Sequence, residues 1–223
     1  MARSAARTGA SPAMVGVGGA TPRVIGFVGI DGSGKTTQCA ELADWLRGRG
    51  LVVQTPEQPN LEPLRAALDD ACRAGGGCGY LDHLGPDVAR LALTTPKWVA
   101  LWSTYSQLRD DVDVVLFDRT ASCYIALAVT DACEDVDLLR ALFSTLPVPD
   151  LTLRMVVSPR AAHSRIAARG LDSEDMHFLD TFDRAYRELP EAAGFIGIDG
   201  EHDVASVTRE VRRAVVARFP ELR

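Results

Sequence analysis

Two rhythms of apolar residues run through the chain. Short apolar runs at 24–28 (VIGFV), 51–55 (LVVQT), 112–117 (VDVVLF), 151–157 (LTLRMVV) and 195–199 (FIGID) predict five strands. Between them, apolar residues recur every three or four positions, as Cys39, Leu42, Ala43 and Leu46 do in a helix predicted over 36–49 and stopped by Gly48 and Gly50. The same spacing predicts helices over 61–73, 121–129, 136–146, 176–189 and 203–219, and over 159–169, where Pro159 opens the first turn and Gly170 ends the last. Two further pieces, 87–93 and 98–108, are expected to part at Pro96, whose ring disfavours helix in the residue before it. Strands that alternate with helices predict an α/β fold, a parallel sheet covered on both faces by right-handed crossovers. Ligands of such sheets bind at the carboxyl ends of the strands.

Neither rhythm reaches the first 21 residues, which are rich in Ala, Gly and Ser and carry Arg3 and Arg7 without an acid, so a disordered leader is expected there. Residues 22–223 then form a single domain, long enough to bury one core. Composition adds exclusions: a net charge of −6 disfavours a broad nucleic-acid surface, and no apolar run approaches the ~20 residues of a membrane span. Five scattered cysteines without a C-x-x-C pair point to reduced thiols and a cytoplasmic location. Cys72, Cys78 and His83 match no zinc spacing. Of the 24 basic residues only Lys35 and Lys97 are lysines, which makes both site candidates.

The chemistry is concentrated after the first strand, in FVGIDGSGKTTQ at 27–38. Gly29, Gly34, Lys35 and Thr36 fit the phosphate-binding loop G-x-x-x-x-G-K-[ST], in its required place between strand and helix. Glycines at 29, 32 and 34 let backbone N–H groups and a helix N-terminus face a polyphosphate, Lys35 brings a compact cation, and Thr36 a hydroxyl for Mg²⁺. Asp118 and Arg119 end the 112–117 strand where ligands bind. Arg165 and Arg169 are four apart on one helix face, before an acidic loop at 171–175.

The phosphate loop, Asp118-Arg119 and the run PRAAHSRIAARGLDSEDMHFLDTFDRAY at 159–186, taken in that order, resemble the thymidylate kinase family over roughly residues 23–217. The resemblance implies a nucleoside-monophosphate-kinase type of P-loop fold, three-layered, with a five-stranded parallel sheet in the order 2-3-1-4-5. It implies transfer of the γ-phosphoryl of ATP, with Mg²⁺, to a nucleoside monophosphate or related small phosphorylated acceptor, a lid near 170–175, and a homodimer. By the same likeness Gly29, Asp31, Gly32, Ser33, Gly34, Lys35, Thr36 and Thr37 hold ATP. Thr36 and Asp118 serve the metal, Arg119 the acceptor phosphate, and Lys35, Asp31, Asp118, Arg119, Arg165 and Arg169 the transfer.

The acceptor side departs from the family pattern. Gln58, after Glu57 in the second strand's loop, stands where an arginine grips phosphate, and Lys97 and Leu93 stand for an arginine and a stacking phenylalanine. Leu127 and Ala128 fall where Tyr-Gln serves the base, Val28 replaces a glutamate, and Ser173 a lid arginine. These differences predict weak or no activity on dTMP and a preference for another phosphorylated or hydroxylated acceptor, held by Arg119 and Lys97, with Glu57, Gln58 and Leu93 as further acceptor candidates. An ordinary dTMP kinase, a kinase of a small-molecule hydroxyl and a non-catalytic ATP-binding regulator remain alternatives.

Overall fold

The computed structural model describes residues 21–76, 79–170 and 174–223. Residues 1–20 of the leader expected over 1–21, Cys78, and the 171–173 part of the expected lid lie outside the described residues. Five strands form one parallel sheet: β1 (Arg23–Val28), β2 (Val53–Gln54), β3 (Val114–Asp118), β4 (Leu151–Val156) and β5 (Phe195–Asp199), in the order β2-β3-β1-β4-β5. The central strand β1 is buried from Val24 to Val28, and its two faces divide the core. Ile25 and Phe27 face α1 (Lys35–Arg47) and α8 (Val204–Arg218), while Val24 and Val28 belong to the cluster with α4 (Ala121–Thr130) and α7 (Met176–Glu188).

Helices α2 (Glu62–Ala74), α3 (Tyr80–Ser106), α5 (Val136–Phe143) and α6 (Pro159–Arg169) complete the layers. The break expected at Pro96 is absent. Helix α3 runs from Tyr80, kinks at Gly85 (φ 73°, ψ 163°) and continues through Pro96 to Ser106. Pro96 removes one backbone donor, but Leu93, Thr94 and Leu101 are buried on either side, and Thr95 Oγ1 donates to Leu91 O at 2.8 Å, so packing outweighs the ring's local penalty. Strand β2 is only two residues long, shorter than the apolar run 51–55, and just before it Val52 O receives the N–H of both Asp113 and Val114 at the edge of the sheet.

One close approach fixes the turn that follows β3. A Cβ on Gly26 would stand 2.2 Å from Thr120 Cγ2, so only glycine on β1 leaves room for the residue after Arg119 to fold back over the sheet. Arg119 itself takes φ 88°, and its N–H donates to Phe27 O at 3.0 Å.

Candidate active site

Charged and polar side chains meet at the carboxyl ends of β1 and β3. A cavity of about 310 Å³ is lined by Asp31, Gly32, Gly34, Lys35, Thr36, Thr37, Arg65, Arg119, Ile166, Arg169 and Glu174. The loop between β1 and α1 has positive φ at Gly29, Gly32 and Gly34. Two of these glycines answer to protein as well as to a phosphate: a Cβ on Gly29 would lie 2.5 Å from Met155 O, and one on Gly32 2.5 Å from Ala162 O. The backbones of β4 and α6 therefore press the loop into its concave shape.

Lys35 is buried, its Nζ donating to Ile30 O at 2.8 Å and lying 3.5 Å from Asp31. Burial, and then the neighbouring Arg119 charge, lower its pKa below the usual lysine range. Arg119 forms an ion pair with Asp31 and donates through Nη1 to Cys123 Sγ at 3.3 Å. Burial alone would raise the Asp31 pKa, but the Arg119 and Lys35 charges outweigh it and hold the carboxylate ionised. Thr36 Oγ1 donates to Asp118 Oδ2 at 2.5 Å, while Asp118 Oδ1 and Ser33 Oγ are buried without a hydrogen-bond partner.

That pair fits Mg²⁺. The ion takes few protein ligands and keeps water and phosphate oxygens for the rest, so a hydroxyl beside a carboxylate with a spare buried oxygen is a sufficient donor set. No group of three or more His, Cys, Asp or Glu able to hold a metal occurs among the described residues.

A glycine-rich loop, a buried lysine and a hydroxyl-carboxylate pair are chemically suited to a phosphate-bearing ligand, and the chain as a whole follows one family pattern. The family model described as thymidylate kinase matches residues 27–211. The chain belongs to the thymidylate kinase family. It is 30% identical over 215 residues to the thymidylate kinase of Ruegeria pomeroyi, an alignment covering 88% of this chain and 96% of that protein. The probable thymidylate kinase of Methanothermobacter thermautotrophicus is 29% identical over 196 residues, covering 86% and 94%. That of Schizosaccharomyces pombe is 26% identical over 199 residues, covering 85% and 89%. As a thymidylate kinase family member the chain is an ATP-dependent phosphotransferase.

Not every expected residue of this thymidylate kinase family site meets in the cavity. Arg165, expected beside Arg169, turns its Nη2 onto Gly200 O at 2.8 Å. On the acceptor side, Glu57 is exposed, Leu93 is buried in α3, and Lys97 Nζ donates to Pro59 O at 2.5 Å. Burial, and then Arg119, lower the Lys97 pKa; Arg65 acts in the same sense.

Sequence reasoning missed Arg65 and Glu174. Arg65 is one turn into α2, past the loop where a phosphate-gripping cation was sought, and a search extended by one helical turn would have reached it. Glu174 lay within the acidic loop but carried no signal of its own. Burial, and then the adjacent Asp31 carboxylate, raise its pKa to about 8, so at neutral pH it keeps a proton beside Asp31.

This has a testable sign. An unfolded Glu174 releases its proton near the ordinary 4.5, while the folded group holds it to about 8. The folded state binds more protons between those values, so this contribution to stability is full below 4.5 and is lost as pH rises to about 8. The thermal midpoint of ligand-free protein is expected to fall across that window, and Glu174→Gln to flatten the fall. Equal slopes for the two proteins by calorimetry would refute the assignment.

Proposed function

We propose that the chain moves the γ-phosphoryl of ATP onto the phosphate of a nucleoside monophosphate, dTMP included, with loose selection of the base. The observation that carries this reading is the convergence of Lys35, Arg65, Arg119 and Arg169 on one cavity, a set of cations suited to two phosphate-bearing ligands. Weak activity on dTMP was expected partly because Gln58 replaces a gripping arginine. Arg65 supplies a cation from the next helical turn, and the relatives are named thymidylate kinases. The base side offers shape more than polar contacts: Leu93 and Ala128 are buried and Leu127 half-buried, and apolar shape alone discriminates by only ~10 to 200-fold.

Transfer between phosphates depends on positioning and on meeting charge as it moves. The buried ammonium of Lys35 and the guanidinium of Arg169 meet the donor phosphates; Arg119, fixed by Asp31 and Cys123, orients the acceptor. Thr36 and Asp118 would hold Mg²⁺, which when bound would neutralise phosphate charge.

A coupled assay over nucleoside monophosphates, nucleosides and small alcohols tests the reading. dTMP is expected to turn over with kcat/KM of at least ~10⁴ M⁻¹s⁻¹, and other pyrimidine monophosphates within about 200-fold of it. Arg65→Ala should raise the acceptor KM by roughly 10 to 100-fold, the scale of one charge-assisted contact, and Lys97→Ala by a smaller factor because its ammonium holds Pro59 O of the loop; neither should much move the KM for ATP. Turnover of a nucleoside or alcohol in place of the monophosphates, or ATP binding with no acceptor-dependent turnover, overturns it.

The same reading includes a homodimer and a cytoplasmic site of action. Val88, Val99 and Trp102 lie 53%, 46% and 44% exposed along one side of α3, opposite Lys97, an apolar strip suited to a second copy of the chain. Trp102→Glu is expected to halve the mass found by sedimentation; an unchanged mass would remove this face from the assembly. Cys39, Cys72, Cys123 and Cys133 are free thiols, and no described helix is long and apolar enough to cross a membrane.

A further inference from the structure

The loop between β2 and α2 is tied to the rest of the protein at two adjacent residues. Lys97, from α3, holds Pro59 O, and Tyr124, from α4, donates its hydroxyl to Gln58 Oε1 at 2.9 Å. Tyr124 is only 4% exposed, and its ring stacks on Phe143 with centroids 5.5 Å apart and planes 12° from parallel. Its hydroxyl therefore has a fixed direction. Burial raises the phenol pKa far above the usual tyrosine range, so it stays a donor at any working pH.

A primary amide has one accepting end and one donating end. Because Tyr124 occupies Oε1, Gln58 must present Nε2, and among the described residues no protein acceptor takes that group. Two cations are held beside it: Arg119 donates to Cys123, the residue before Tyr124, and Lys97 holds Pro59, the residue after Gln58, with the Asp118 carboxylate also acting on the Tyr124 hydroxyl. A half-buried N–H pair on the edge of such a cluster lacks only an anionic oxygen.

We infer that Tyr124 is a positioning residue for acceptor recognition, which turns Gln58 into a fixed neutral donor to a phosphate oxygen of the monophosphate. The inference rests on the monophosphate reading above. It explains how a loop without its arginine still contributes to phosphate binding, through oriented N–H groups and not through charge. Phe143 supports the ring, Tyr124 aims the amide, and Lys97 holds the loop backbone one residue further on.

Calorimetric titration of dTMP and of thymidine into ATP-free protein tests it, with kinetics run beside. Tyr124→Phe keeps the stacked ring and should weaken dTMP about 5-fold, the usual worth of one hydrogen bond, without changing thymidine affinity or kcat. Gln58→Glu offers no N–H and adds repulsion, so dTMP should weaken on the order of 10-fold or more. The double variant should bind no worse than Gln58→Glu alone, since the two residues act as one unit. Wild-type affinity for dTMP in Gln58→Glu, or equal losses for dTMP and thymidine in Tyr124→Phe, overturns the assignment. A wild type that phosphorylates no monophosphate overturns the proposed function and not this contact. The bond is then read from the Gln58 side-chain amide resonances: a shift on Tyr124→Phe supports it, and unmoved resonances overturn it.

Discussion

Lys35→Ala is expected to lower turnover by on the order of 100-fold or more, the loss that follows removal of one preorganised donor to transition-state charge. Lys35 is 5% exposed, and its ammonium lies between Ile30 O and Asp31, so it is held ready before any nucleotide enters. Burial favours its neutral form, and a bound phosphate anion would favour the charged one. Single-turnover rates with ATP and the best monophosphate acceptor are the measurement. A variant with near-normal rates would remove Lys35 from the transfer.

Arg119 should show the second large effect, directed at the acceptor. Arg119→Ala is expected to reduce kcat/KM for the monophosphate by on the order of 100-fold while the KM for ATP changes by no more than about threefold. Arg119→Lys should recover little, because a point charge cannot bond Asp31 and Cys123 together and still face a phosphate. The backbone strengthens the contrast: φ of 88° is costly for any residue with a Cβ, and the chain tolerates it at the one position that aims this guanidinium. Equal losses for ATP and acceptor would move Arg119 to the donor side of the reaction. Folding of each variant is checked by its thermal midpoint.

Much of this was legible in the chain, for identifiable reasons. The phosphate loop is contiguous, so Gly29 through Thr37 carry their geometry in their own order, and the five apolar runs mark strands buried on both faces. Asp118 and Arg119 were legible as polar residues at the end of such a run. What escaped notice depends on distant partners. Pro96 looks like a helix break until Leu93, Thr94 and Leu101 are seen buried around it, and Gly85 carries the real kink. Arg65 matters only because α2 folds over the cavity, and Glu174 only because Asp31 lies beside it. Gln58 was noticed for the arginine it lacks; that Tyr124, 66 residues away, sets its orientation could not be read from spacing.

The cations around the cavity sit in a chain whose net charge is −6. An acidic exterior with a basic mouth concentrates field lines at the opening, where walls of low polarisability keep them from spreading. Nucleotides should thus be captured faster than an uncharged ligand of equal size, and the gain should fade as ionic strength shortens the Debye length from roughly 30 Å at 0.01 M to 8 Å at 0.15 M. Dissociation, governed by contacts inside the cavity, should change much less.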